Sequence, residues 1–288
     1  MEISLLREEA IRSFLKGKKA DYFSINGFRN ENYVVSEDNK KYFIKFFIKK
    51  DHLRRECFAL DFFKSFKSFN SPELLFLGEN YVGTKFEEGL TEFSAEEIPF
   101  LISEFHNEFQ SIIPLSINEP YLVEFFDRQI YLRRFMQDYL ILKENKFDVK
   151  KIERVITSPE EKEYSSFPKI ICHGDAHRKN LLKNNDKFPF FLDFEFCHLN
   201  YPLFDMATNI YSDPENMEKA IINYLRASRG GLMGKFEENL LVNCILSDAV
   251  RICINDISKS IKKLTGESLE KRLDHGKKVL NKIFNTIS

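Results

Sequence analysis

Two periodicities divide the chain. The stretch from Tyr22 to Ile48 is strand-rich: Tyr33–Val35 and Tyr42–Phe47 flank the turn-forming Ser36-Glu37-Asp38-Asn39-Lys40, which predicts an antiparallel hairpin. From Asp51 the spacing becomes helical, with Leu53, Cys57, Leu60 and Lys64 along one side and Phe58, Phe62 and Phe66 along another. Short strands are expected around Leu74–Leu77 and Tyr81–Phe86, punctuated by Gly78 and Gly89. Past Gly89 the pattern is mainly helical. Ser94 and Glu97 form a capping box ahead of Ile98, Leu101, Ile102, Phe105 and Phe109. Further helices are predicted over about 121–142, 214–228, 236–263 and 268–286, the second having Pro214 at its start and Gly230-Gly231 past its end. Two short strands near 180–193 interrupt them, and residues 5–15 read as a helix. The segment Ser158-Pro159-Glu160-Glu161-Lys162-Glu163 reads as a linker. The expected class is α+β. A small sheet-bearing amino-terminal lobe (1–88) meets a hinge near 86–90 and a larger, mainly helical lobe (89–288) with an embedded hairpin.

Composition narrows the function classes. The 288 residues carry 43 Lys+Arg against 44 Asp+Glu, a formal net charge of -1, which argues against a coat for nucleic acid or an anionic membrane. No run approaches the roughly 18 apolar residues of a membrane span. The first residues, MEISLLREEAIRSFLKGKK, mix acids and bases as signal peptides do not, so a cytoplasmic location is expected. The five cysteines form no CxxC pair and are odd in number, which favours reduced thiols over a disulfide framework or structural zinc. Thirty Phe accompany no Trp.

Chemistry concentrates in ICHGDAHRKNLLKNNDKFPFFLDFEF, residues 171–196. Asn180–Lys183 and Phe188–Asp193 are strand-like about the turn Asn184-Asn185-Asp186-Lys187, which sets Asn180 opposite residues near Phe191 and brings Asn180 and Asp193 to one end of the hairpin. An amide oxygen and a carboxylate beside Asp175 make an oxygen-rich pocket suited to Mg²⁺. Asp193 and Glu195 also interrupt a run of Phe and Leu, where an unpaired carboxylate would cost several kcal/mol, so a counter-ion or strong donors are expected.

His173-Gly174-Asp175-Ala176-His177-Arg178-Lys179-Asn180, followed by Asp193-Phe194-Glu195, resembles the paired motif of the aminoglycoside phosphotransferase and choline kinase superfamily. The resemblance implies a bilobal, protein-kinase-like fold and phosphorylation of a small-molecule hydroxyl from ATP. It gives Asp175 the role of orienting the acceptor hydroxyl and receiving its proton, and it makes Asn180 and Asp193 ligands of Mg²⁺. His173 becomes a brace of the catalytic loop, and His177 a candidate for substrate contact. In the amino-terminal lobe, Ile25–Val35 resembles the nucleotide loop, with Gly27 and Asn30 in it. Folding that hairpin about residue 38 sets Asn30 opposite Phe46, beside Lys45. Lys45 then resembles the phosphate-binding cation, Glu56 its acidic partner, and Lys85-Phe86-Glu87-Glu88-Gly89 the hinge against adenine.

Asp193–Phe196 followed by Asn200-Tyr201-Pro202-Leu203-Phe204-Asp205-Met206-Ala207 is similar to the choline and ethanolamine kinase branch, and an amino alcohol is the expected acceptor. Glu195, Tyr201 and Tyr211 are acceptor-side candidates, since an ammonium group wants a carboxylate or an aromatic face. Asp205 is an internal brace. His-Gly-Asp stands where choline kinases usually have His-Asn-Asp, and Trp is lacking, which keeps aminoglycoside, sugar and homoserine kinases as alternatives. A catalytically silent nucleotide-binding pseudokinase is the alternative of another class. A protein kinase ranks lower, because no activation segment closed by Ala-Pro-Glu follows Asp193.

Overall fold

The computed structural model describes residues 21–25, 30–37, 39–109, 122, 128–157, 167–231 and 233–287. The helix read at 5–15, the linker at 158–163 and Gly27 lie outside them.

Five antiparallel strands open the fold: β1 (Asp21–Ile25), β2 (Glu31–Glu37), β3 (Lys40–Phe46), β4 (Leu74–Leu77) and β5 (Tyr81–Lys85), in the order β1-β2-β3-β5-β4. Val35, Ile44 and Phe46 form a small core on one face, and Phe47 and Val82 pack with Leu53 of helix α1 (Lys50–Phe63) on the other. Glu37 pairs with Lys40, so the turn is centred between positions 38 and 39 rather than on 38, and Asn39 takes a left-handed φ of 62°. That one-residue slip corrects the expected register: Glu31, not Asn30, lies opposite Phe46, and Asn32 faces Lys45.

A second, larger core holds the remaining elements together. They are β6 (Thr91–Glu92), α2 (Ile98–Phe109), α3 (Arg128–Glu144), α4 (Val149–Ile156), β7 (Ile170–Cys172), β8 (Leu181–Lys183), β9 (Pro189–Phe191), β10 (His198–Asn200), α5 (Leu203–Ser212), α6 (Met217–Ser228), α7 (Glu238–Lys263) and α8 (Gly266–Ile287). The capping box is formed: the Ser94 N–H donates to Glu97 Oε2 at 2.8 Å, just ahead of α2. Strands β6, β8 and β9 make one small sheet and β7 and β10 another. Aromatic rings tie α1 into this larger core. Phe63 of α1 lies 4.8 Å from Phe194 and 5.5 Å from Phe105 between centroids, while Phe69 stacks on Phe191 at 4.7 Å. Much of the unusual Phe content is therefore interior packing where α1, α2 and the β8–β9 hairpin meet. All five cysteines are free thiols, four of them buried. Among the described residues no helix is long and apolar enough to cross a membrane.

His198 carries a pH prediction. Its buried Nδ1–H donates to the Phe196 carbonyl at 2.6 Å and Nε2 accepts from Asn200 at 3.0 Å, so the ring is held neutral. Burial pulls its pKa down to about 4, against the partial upward effect of the Phe196 carbonyl. The folded protein thus binds fewer protons here than the unfolded chain. The contribution to stability is whole above the unfolded pKa near 6.5 and is lost as pH falls through 4. His198→Asn keeps a donor for Phe196 and removes the titration. We expect its denaturation midpoint to fall less than that of the parent between pH 7 and 4.5; equal falls would count against this assignment.

Candidate active site

The loop between β7 and β8 is shaped from below by Asp205, on the first turn of α5 and fully buried. Its carboxylate accepts from the backbone N–H of His173 (2.9 Å) and Gly174 (2.7 Å) and lies 3.0 Å from His106 Nε2. Burial works to raise the Asp205 pKa, but the hydrogen bond and charge of His106 and the donors of the loop hold it below the usual carboxylate range. Gly174 sits at φ +82°, and a Cβ there would come 2.0 Å from the Phe196 carbonyl oxygen. The glycine of His-Gly-Asp is thus required by the turn itself, so its difference from His-Asn-Asp reflects backbone packing in this chain. His173 Nε2–H donates to Leu192 O at 2.9 Å, and Nδ1 accepts from Asp175 N at 3.3 Å, tying the loop to the far arm of the hairpin. Burial depresses the His173 pKa, in keeping with a neutral ring.

These contacts deliver Asp175 and Asn180 to one place. Asn180 Nδ2 donates to the Asp175 backbone oxygen at 3.0 Å and lies 3.4 Å from Oδ2 of its side chain. His177 Nε2 is 3.6 Å from the same Oδ2. Leu181 pairs with Phe191, so Asn180 stands opposite Leu192, whose N–H donates to Asn180 O at 2.8 Å, in keeping with the expected pairing near Phe191. Asp193 then leaves the strand at φ 63°, ψ 62°, and Phe194–Phe196 coil into one turn of 3-10 helix. This break turns Glu195 inward, where strand alternation could not have placed it.

Glu195 is the main departure from expectation. It lines the cavity that holds Asp175, as an acceptor-side residue would, but it is only 3 % exposed and is also bound to the amino-terminal lobe. It accepts from Asn30 Nδ2, lies 3.3 Å from Lys45 Nζ and has His52 Nδ1 3.7 Å from Oε1. Burial would raise its pKa, but hydrogen bonding from His52 and the charge of Lys45 prevail and hold it at about 2. Lys45 also meets Asp193 and, at 3.4 Å, Glu56. Burial opposes the Lys45 charge, yet Asp193, Glu56 and Glu195 together raise its pKa. Glu56 is pushed up to about 7 by burial, with Lys45 working in the opposite direction.

Two adjoining cavities share Asn32, Lys45, Lys179 and Asp193. One, of about 540 Å³, is walled by Phe43, Val82, Leu90, Phe190 and Leu192, with Glu56, Glu87 and Asn180 on its margin. The other, of about 460 Å³, holds Asn30, Asp175, His177, Glu195 and Tyr211. Tyr201 lines neither. Its ring faces Phe167 (6.3 Å) and Lys169 (5.7 Å), and its backbone N–H donates to Asn200 Oδ1 at 2.8 Å. Asn255, Asp256, Lys259 and Arg272, which the sequence did not single out, line the second cavity. Their signal was faint, for polar residues spaced along a long helix ordinarily mark its solvated side.

The donor set fits a hard divalent cation. The carboxylates of Glu56, Asp193 and Glu195 gather around the buried ammonium of Lys45, and Asn180 and Asp193 offer oxygen ligands on the same cavity. Among the described residues His106, Cys172 and Asp205 also cluster within metal-binding distance. Asp205 is already saturated by three donors, and burial pushes the Cys172 thiol well up, so this cluster is a packed brace.

A family model described as the phosphotransferase enzyme family matches residues 24–237. No curated protein sequence matches the chain. Choline kinase LicA from Streptococcus pneumoniae superposes with a TM-score of 0.67 at 16% identity, over 98% of this chain and 99% of that one. The GDP complex of aminoglycoside 2'-phosphotransferase-IIIa gives 0.67 at 14% identity, over 98% and 99%. An ethanolamine kinase from Plasmodium vivax gives 0.60 at 15%, over 92% and 81%. The likeness is one of fold, and the fold is the bilobal, kinase-like α+β architecture expected from the sequence.

Proposed function

The chain belongs to the phosphotransferase enzyme family, and from that premise we propose that it transfers the γ-phosphoryl group of ATP to a hydroxyl of a small molecule, an amino alcohol in the first instance. The observation that carries this reading is the pair of cavities meeting at Lys45 and Asp193, one apolar and slot-like, the other polar and containing Asp175. The apolar slot suits a purine, with the chain around Glu87 as hinge; the GDP bound by the aminoglycoside phosphotransferase above is consistent with a nucleotide there. In this reading residues 1–88 supply the nucleotide-binding lobe and 89–288 the catalytic and acceptor-binding lobe.

Each side chain then has a task. Lys45 sets its ammonium beside the phosphates, with Glu56 fixing its direction and Asn30 lining the same cavity. Asn180 and Asp193 are the residues to hold Mg²⁺, which when bound neutralises phosphate charge. With its amide nitrogen committed to Asp175, Asn180 is left with Oδ1 as its coordinating atom. Asp175 accepts a hydrogen bond from the acceptor hydroxyl, aligns its oxygen for in-line attack and takes the proton as the phosphoryl group arrives. Asp205 and His173 hold that loop still. His177 and Tyr211 line the acceptor cavity, while Glu195 serves the lobe contact. A cytoplasmic location belongs to the proposal, supported by the reduced cysteines.

The test is an ADP-release screen over choline, ethanolamine, thiamine, aminoglycosides, hexoses and homoserine, with Asp175→Asn as the blank. Acceptor-dependent ADP release, absent in the blank, is the expected result. Equal release by both proteins would overturn the reading.

A further inference from the structure

We propose, resting on the phosphotransferase reading, that Lys179 is a further catalytic residue whose ammonium contacts the γ-phosphoryl group and follows it from the nucleotide to the acceptor. Lys179 lines both cavities described above and also a third, of about 400 Å³, that opens beside His177 and Ser212. Among the described residues it alone is common to all three. A group at that junction is within reach of whatever passes between the nucleotide slot and the acceptor cavity.

The backbone of Lys179 is fixed while its side chain is not. Its N–H donates to His177 Nδ1 at 3.2 Å, and the N–H groups of Asn180 and Leu181 donate to the His177 carbonyl at 2.8 and 3.0 Å. This tight turn lies between Asp175 and Asn180, so the root of Lys179 is held next to both. The side chain itself is exposed, as suits a group that travels with a reacting phosphoryl.

Charge decides the assignment. Lys45 is engaged by Glu56, Asp193 and Glu195, and Arg178 by Glu92 at 3.6 Å. Among the described residues no carboxylate lies within ion-pair distance of the Lys179 ammonium. A phosphoryl group in transit passes the seam beside Asp193, where the charge of Lys45 is already answered and that of Lys179 is not. Lysine is a point charge on a flexible stem, able to stay with oxygens that move. In the step itself the acceptor oxygen bonds to phosphorus as the bond from phosphorus to the β–γ bridging oxygen breaks. That bond's electron pair leaves with ADP, and the hydroxyl proton passes to Asp175. Lys179 stabilises the negative charge on the outer oxygens of the transferred group, where a donor aimed at the transition state counts most.

Lys179→Met removes the charge and keeps most of the stem. With the acceptor selected by the screen above, kcat should fall by about 10–100-fold, the size of one charge-assisted hydrogen bond, while KM for that acceptor stays within about twofold. Lys179→Arg should regain part of the loss. The melting temperature should stay within about a degree of the parent, since an exposed side chain without an ion pair has been removed. Calorimetry with AMP-PNP and with ADP isolates the γ-phosphate. Lys179→Met should weaken AMP-PNP by about 3–10-fold and leave ADP within about twofold. An unchanged kcat, or equal losses for the two nucleotides, would overturn the proposal and leave the phosphotransferase reading standing, provided that the parent still phosphorylates its acceptor. A parent that binds nucleotide without acceptor-dependent ADP release would remove that reading, and the AMP-PNP comparison would still decide whether Lys179 meets the γ-phosphate.

Discussion

Asp175→Asn should reduce acceptor phosphorylation by about 10²–10⁴-fold while the melting temperature stays within a degree or two of the parent. Asparagine keeps the volume and one oxygen of the side chain but cannot take a proton from an alcohol. The loop should survive the change, because its shape is set by backbone donors to Asp205 and by His173 on Leu192, none of which involves the Asp175 carboxylate. Part of the loss is positional, since a weakly basic carboxylate aligns the hydroxyl before it accepts the proton. Steady-state kinetics beside a thermal melt check both halves. Full turnover would dismiss Asp175 from the chemistry, and a large fall in melting temperature would show it to be structural.

Lys45→Met should be harmful twice over. Its ammonium faces Glu56 and Glu195, both nearly sealed from water, together with Asp193. Removing one member of a buried ionic group typically destabilises by about 3–5 kcal/mol, because the remaining charge is stranded. The pH dependence has a definite sign. Glu56 already titrates near 7, above its unfolded value, so its contribution is whole below about 4.5 and is lost as pH rises through 7. Without Lys45, whose charge lowers the pKa of both Glu56 and Glu195, these two pKa values rise, and protonation relieves the stranded charge in acid. The variant should therefore lose more stability at pH 8 than at pH 5.5, and denaturant unfolding at the two values decides it. Equal losses would mean that packing, not charge, is the cause. The kcat/KM for ATP should fall by about 10²–10³-fold, the size expected when a preorganised donor to a charged group is removed.

Sequence spacing proved most informative where chemistry and local geometry coincide. The octet from His173 to Asn180 and Asp193 beyond the hairpin lie on one short loop and ribbon, so a turn and a period of two suffice to bring them together. Lys45 and Glu56 were legible for the same reason, as one follows a hairpin and the other the first turns of a helix. The register of the first hairpin slipped by one because turn centres are fixed by backbone dihedrals, such as the left-handed Asn39, that residue types only suggest. The contact of Glu195 with the amino-terminal lobe was not legible, because Asp193 adopts a left-handed conformation after the strand and Phe194–Phe196 coil into a turn of 3-10 helix. Tyr201 lines neither cavity because its ring packs with Phe167 and Lys169, residues about thirty positions earlier that local spacing does not bring to mind. Asp256, Lys259 and Arg272 were invisible, since their meaning depends on how α7 and α8 pack against α5, contacts made far along the chain.

The ring stack at the junction of α1, α2 and the hairpin has a consequence for anyone dividing this molecule. Phe63 and Phe69 come from the first quarter of the chain, yet they are members of the large helical core, sealed against Phe105, Phe191 and Phe194. A fragment ending near the hinge would present these rings to water, and the complementary fragment would lose the plug that fills its own interior. The two halves are separable in description only; expressed apart, each would be a sticky, half-finished object, and the protein must be made and folded as one piece.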